Sequence, residues 1–141
     1  APEKMSMRLE LKKYLFDTKA LMAFFNEEDG ADNVGVFLAE VDNNEAEGYI
    51  STITLTEVYY LYTDRFNEDA AKKRVEALLF SNLKIIGIDE NIAICAGAYK
   101  AKKPIPIADA LIAACASAIR SQIVTDDEHF ESTDVRIIRF R

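Results

Sequence analysis

Apolar positions along the chain switch repeatedly between the two-residue period of strands and the 3.6-residue period of helices. Tyr14-Leu15-Phe16 is a short apolar run ending on Asp17, and it predicts a buried first strand over 14–17. Leu21, Phe24 and Phe25 then recur at helical spacing, predicting a helix from Thr18 to Asn26 broken by Glu28-Asp29-Gly30. Val34, Phe37, Leu38 and Val41 mark a second helix from about Ala31 to Glu45, with Gly48 as its stop. Tyr49-Ile50-Ser51-Thr52-Ile53 reads as a second strand rich in β-branched residues. Thr54 to Glu57 opens a third helix striped by Leu55, Val58, Tyr59, Tyr62 and Phe66. Asn67-Glu68-Asp69 caps a fourth, Ala70 to Phe80, with acids where the helix dipole favours them.

The alternation continues to the end. Leu83 to Ile88 is a third strand, and Asp89 caps a fifth helix running to about Lys100. A basic loop from Lys100 to Pro106 leads into a sixth helix, Ile107 to Arg120, for which Pro106 suits the first turn. Ala110, Ala113, Ala114 and Ser117 give this helix a small-residue face that allows close packing. Gln122 to Thr125 is a fourth strand, a short turn holds Asp127 to Phe130, and Val135 to Phe140 closes the sheet. Strands that alternate with helices in this way predict an α/β fold: a central, mostly parallel sheet of about five strands with helices on both faces.

Composition leaves that expectation intact. The 141 residues suit one domain spanning 1–141, in which 1–13 form an N-terminal segment. Ala1 to Lys4 precede Met5 and are expected to be an expression remnant. No apolar run reaches the roughly 20 residues that span a bilayer, and no secretory signal is visible, so a cytoplasmic location is expected. Cys95 and Cys115 fall in apolar helical patterns and read as free buried thiols. With a single His they cannot complete a four-ligand zinc site. The net charge of −7 opposes non-specific nucleic-acid binding, yet it allows a nucleic-acid substrate if the acids gather at a metal.

Four acids, Asp17, Glu57, Asp109 and Asp127, each stand just after a predicted strand or in the first turn of a helix. Each has an ordinary explanation alone. Asp17 can cap a helix, Thr54-x-x-Glu57 and Thr125-x-x-Glu128 match capping boxes, and Asp109 suits a first turn. Together they point elsewhere, because strand ends of a right-handed α/β sheet share one rim, where ligands bind. Carboxylates gathered there need a counter-charge, and oxygen ligands select Mg²⁺ or Mn²⁺. Such a site suits phosphodiester hydrolysis, in which the metal polarises the phosphoryl oxygen and activates water. His129, the sole histidine, reads as a structural residue of the turn after Asp127. There is no GxxxxGK[ST] loop, and Asp17 lacks the companion acid of an aspartyl phosphotransferase or a phosphoacceptor receiver.

The segments that carry these acids resemble the PIN-domain family, in particular VapC-like toxin ribonucleases of type II toxin–antitoxin systems. Leu15-Phe16-Asp17-Thr18 resembles the opening strand–Asp–Thr signature, and Ile53-Thr54-Leu55-Thr56-Glu57-Val58 the second acidic segment. Ile105-Pro106-Ile107-Ala108-Asp109, followed by an Ala-rich helix, is the most specific match. Ile123-Val124-Thr125-Asp126-Asp127-Glu128-His129-Phe130 resembles the closing T-x-D-x-x-F segment. The four occur in the family's order across Tyr14 to Phe140.

The resemblance implies a single PIN-like domain and a Mg²⁺- or Mn²⁺-dependent endoribonuclease with Asp17, Glu57, Asp109 and Asp127 as its catalytic metal site. The spacing of the closing segment selects Asp127 over its neighbour Asp126, and Thr125 and Thr18 are expected to support the site. The resemblance also implies an RNA substrate, a cognate antitoxin and a homodimer. Lys19 departs from the pattern, which has Ser or Asn after Asp-Thr. An ammonium there could neutralise the acids, contact a substrate phosphate, or point to solvent or a pairing outside the metal site, the last being favoured. Lys100, Lys102 and Lys103 are either a solvated loop or a patch that steers phosphates. Tyr59, Tyr60 and Tyr62 suit core and interface roles better than base stacking, with Tyr60 pointing away from the other two.

Overall fold

The computed structural model describes residues 11–141, so Ala1 to Glu10 of the N-terminal segment lie outside the described residues. The first strand, β1 (Lys12–Phe16), begins two residues before the apolar run, and its Tyr14, Leu15 and Phe16 are fully buried. Helix α1 (Thr18–Phe25) follows after one residue, and α2 (Ala31–Asp42) after Gly30. β2 (Ala46–Ser51) runs straight into α3 (Thr52–Arg65), and α4 (Glu68–Leu79) leads to the short β3 (Lys84–Ile86). Helices α5 (Glu90–Lys102) and α6 (Ile107–Ile119) precede β4 (Gln122–Thr125), a single 3₁₀ turn (Glu128–Ser132) and β5 (Ile137–Arg139).

The five strands pair in the order β3-β2-β1-β4-β5, and every pairing is parallel. β1 is central. Consecutive side chains of a strand point to opposite faces, so the sheet separates two cores. Tyr14, Phe16, Ile50 and Val124 face one layer, where Leu21, Val34, Val58, Tyr62 and Leu78 from α1 to α4 pack. Leu15, Tyr49 and Ile123 face the other, against Ile92, Ala96, Ala110, Ile112 and Ala113 of α5 and α6. Helices therefore cover both faces, as the alternation predicts.

Several expected boundaries move, each for a local reason. β2 starts at Ala46 because Asn44, at φ 60°, turns the chain directly out of α2. Gly48 lies inside that strand rather than stopping the helix. A Cβ there would stand 2.7 Å from methyl carbons of both Val41 and Leu83, so glycine lets α2 and the segment before β3 close on the sheet. Strand β2 ends at Ser51, whose hydroxyl accepts from Ile53 N–H, so Thr52 and Ile53 are helical. Helix α5 carries on to Lys102, which shortens the expected basic loop, and Lys100 donates to Ile105 O at 2.8 Å. Pro106 occupies the cap position of α6, one residue before its first turn. Phe66, expected in the α3 stripe, is 53% exposed and stacks on Tyr62 at 5.4 Å. Cys95 is free and half-buried, and Cys115 is free and buried.

Candidate functional site

Asp17 leaves the carboxyl end of the central strand. Its N–H donates to Val124 O at 3.2 Å, which holds it beside the end of β4. Its side chain caps α1 by accepting from Ala20 N–H at 2.7 Å. The other carboxylate oxygen accepts from the Thr125 hydroxyl. The capping role and the rim position thus belong to the same residue.

Thr125 is buried at the end of β4, and its hydroxyl also accepts from Asp127 N–H at 2.9 Å. That bond turns the chain so that Asp127 faces Asp17's side of the rim. Asp127 Oδ1 accepts from His129 N–H, and Oδ2 lies 3.3 Å from the Lys19 ammonium. Asp126 turns away: it accepts from Arg141 Nε, while its Oδ1 is buried without a partner. Glu57 stands on the second turn of α3, where Thr18 Oγ1 donates to its Oε1 at 2.7 Å. Thr54 does not cap that helix, because Ser51 does; its hydroxyl lies 3.1 Å from Thr18 Oγ1 instead. Asp109 enters from the first turn of α6, with Oδ2 3.2 Å from His129 Nδ1.

Asp17, Thr18, Lys19, Glu57, Asp109 and Asp127 line one cleft of about 660 Å³, together with Arg65 and Arg141. Lys100, Lys102 and Lys103 do not line it. Arg65 and Arg141 went unnoticed in the sequence, since neither stands near a motif. Arg141 is occupied by Asp126, Glu28 and the Asp29 carbonyl, whereas Arg65 lies over the Phe66 ring at 5.4 Å. His129, expected as a structural residue of the turn, also stands among the acids. Among the described residues, Asp109, Asp127 and His129 each place a donor atom within 4.8 Å of the others. Its approach to Asp109 depends on α6 reaching over the rim, which local pattern does not reveal.

Proton affinities record the same crowding. Burial pushes the Asp17 carboxyl up to about 7, against its hydrogen bonds from Thr125 and Ala20, and Asp126 and Asp109 push the same way. Burial, then the charge of Asp127, raises Asp109. Asp127 is held below the usual carboxylate range. Burial would raise it, but the His129 N–H and the Lys19 ammonium outweigh that. Lys19 is raised in turn, since the charge of Asp127 outweighs its partial burial. A buried acid that favours its proton, beside a second acid raised by burial and by a neighbouring carboxylate, marks a shortage of positive charge. A divalent cation with carboxylate ligands fits that shortage.

A family model for the PIN domain matches residues 14–136. Comparison with curated proteins finds no match. Among solved structures, the DNA-bound VapBC from Salmonella typhimurium aligns with a TM-score of 0.74 at 22% identity, over 92% of this chain and 99% of its own. FitAcB from Neisseria gonorrhoeae aligns with a TM-score of 0.71 at 22% identity, over 90% and 97%. A toxin–antitoxin complex from Klebsiella pneumoniae aligns with a TM-score of 0.67 at 21% identity, over 91% and 98%. At these identities the likeness is one of fold.

Proposed function

Because the chain belongs to the PIN-domain family, we propose that it is a divalent-metal-dependent endoribonuclease, the toxin of a VapBC-type pair. The observation that carries this reading is the convergence of Asp17, Glu57, Asp109 and Asp127 on one cleft at the carboxyl rim of the sheet. The four come from four separate elements, and capping alone gives them no reason to meet. An antitoxin partner is supported by the similar solved structures, which include a toxin–antitoxin complex and a DNA-bound VapBC. A homodimer, an RNA substrate and a cytoplasmic location belong to the same reading. Among the described residues no helix is long and apolar enough to cross a membrane.

In this reading the four acids of the cleft would hold the ion: Asp109 and Asp127, whose carboxylates stand within reach of a common ion, together with Asp17 and Glu57. Bound Mg²⁺ or Mn²⁺ would polarise a phosphoryl oxygen and lower the pKa of the attacking water. Thr125 fixes the Asp17 carboxylate and Thr18 fixes that of Glu57, so little rearrangement is needed on binding. Arg65, on the cleft wall, provides a guanidinium for an RNA phosphate. RNA cleavage should require divalent metal, and Asp17→Asn or Asp109→Asn should abolish it while circular dichroism shows an intact fold. Full cleavage in chelator, or by either variant, overturns the reading.

The Lys19–Asp127 ion pair favours a second reading, a PIN fold that binds RNA or protein without cutting. Calorimetry with Mn²⁺ separates the two, since the binding module would take up no ion at the acids.

A further inference from the structure

We propose that His129 binds the catalytic ion directly through Nδ1, and that this nitrogen biases the site toward Mn²⁺ over Mg²⁺. The inference rests on the reading that the cleft holds a divalent cation, and it adds to the four acids a ligand of different chemistry.

Separation of the donor atoms carries the argument. Nδ1 of His129 lies 2.9 Å from Asp127 Oδ1 and 3.2 Å from Asp109 Oδ2. Adjacent ligands of a six-coordinate ion with bonds of about 2.1 Å stand roughly 3 Å apart. The nitrogen is therefore spaced from each carboxylate as neighbouring ligands of one ion are, and all three donor atoms lie within 4.8 Å of one another. A ring turned only to donate a hydrogen bond would need one carboxylate, whereas this nitrogen faces two.

The backbone around His129 is built to keep it there. Phe130 is fully buried against α6 and anchors the 3₁₀ turn. Ser132 Oγ donates to His129 O at 2.8 Å, and His129 N–H donates to Asp127 Oδ1 at 2.9 Å. The side chain itself is 49% exposed, which leaves its ring reachable by an ion entering from solvent. Imidazole is a softer ligand than carboxylate. It suits transition metals and has little affinity for Mg²⁺, whereas Mn²⁺ accepts both ligand types.

The chain contains one histidine, which makes the test site-specific without isotopic editing. The full chain, free of any histidine tag, is loaded with Mn²⁺ and examined by pulsed electron paramagnetic resonance for a directly bonded ¹⁴N. His129→Gln is examined beside it, and both proteins are titrated with Mn²⁺ and with Mg²⁺ by calorimetry. The expected result is a nitrogen coupling that His129→Gln removes, with Mn²⁺ affinity reduced about tenfold and Mg²⁺ affinity nearly unchanged. Bound Mn²⁺ without a directly bonded nitrogen overturns the inference and leaves the acidic metal site standing. An equal loss for both ions overturns the bias. No uptake of Mn²⁺ by the unaltered chain overturns this inference and the proposed function together. The wild-type spectrum decides the ligand on its own, whatever the stability of the variant.

Discussion

Asp17 combines two demands that oppose each other. Its carboxylate caps α1 and accepts from Thr125, yet it is almost wholly buried beside other acids. Its folded pKa of about 7 lies above the ordinary 3.8, so the folded state holds this proton more tightly than the unfolded chain does. The stability that this group contributes is full below about pH 3.8 and is lost as pH rises through about 7. The metal-free protein should therefore melt at a lower temperature at pH 8 than at pH 5. Asp17→Asn should flatten that dependence and raise the Tm in chelator at pH 8 by a few degrees, while removing cleavage. Melting curves with and without chelator check both parts. Lys19 is the second residue where charge decides. Its ammonium is 59% exposed, so its pair with Asp127 is weak, on the order of 0.2–1 kcal/mol. Lys19→Ser should strengthen Mn²⁺ binding by about two- to fivefold, read by calorimetry. Weaker binding would mean that Lys19 aids the ion rather than competing with it.

At the scale of elements, the pattern of apolar residues revealed what exists but not where each element ends. Every expected helix and strand is present, because the two-faced burial of β1, β2 and β4 leaves continuous apolar runs. Boundaries shifted where a single hydrogen bond or dihedral set them, as at Ser51 and Asn44, and periodicity carries no trace of either. Gly30 shows how a connection is fixed. It stands at φ 85°, and a Cβ would come 2.8 Å from the Phe140 carbonyl oxygen and 2.7 Å from its ring. Gly30→Ala should cost about 1–3 kcal/mol through both strain and overlap. Urea unfolding would measure it. Near-neutral behaviour would show that the α1–α2 connection can move away from β5.

At the scale of the molecule, the acids were legible because strand ends in a parallel sheet share a rim. Residues that reach the cleft from the side were not. His129 meets Asp109 and Arg65 reaches the cleft only through the placement of α6 and α3, which depends on core packing far along the chain. The distribution of charge has a consequence for RNA. The chain carries −7 overall, so under the proposed function RNA affinity would rest on local cations such as Arg65 of the cleft. Arg65→Ala should weaken RNA binding at low salt and reduce the salt slope by about 0.7–1, measured by fluorescence anisotropy with a non-cleaving Asp109→Asn background. An unchanged slope would place the phosphate contacts elsewhere.

The order in which strands enter the sheet bears on how the protein is made. β1 is the first strand synthesised and the centre of the sheet, yet the neighbour on one of its edges is β4, residues 122–125. The chain must therefore be made as far as β4 before that edge is covered and Asp127 can join Asp17. From residue 57 to residue 108 a nascent chain carries only Asp17 and Glu57 of the four acids. A chain that stops short of β4 would leave that apolar edge of β1 uncovered, a surface for quality control to recognise.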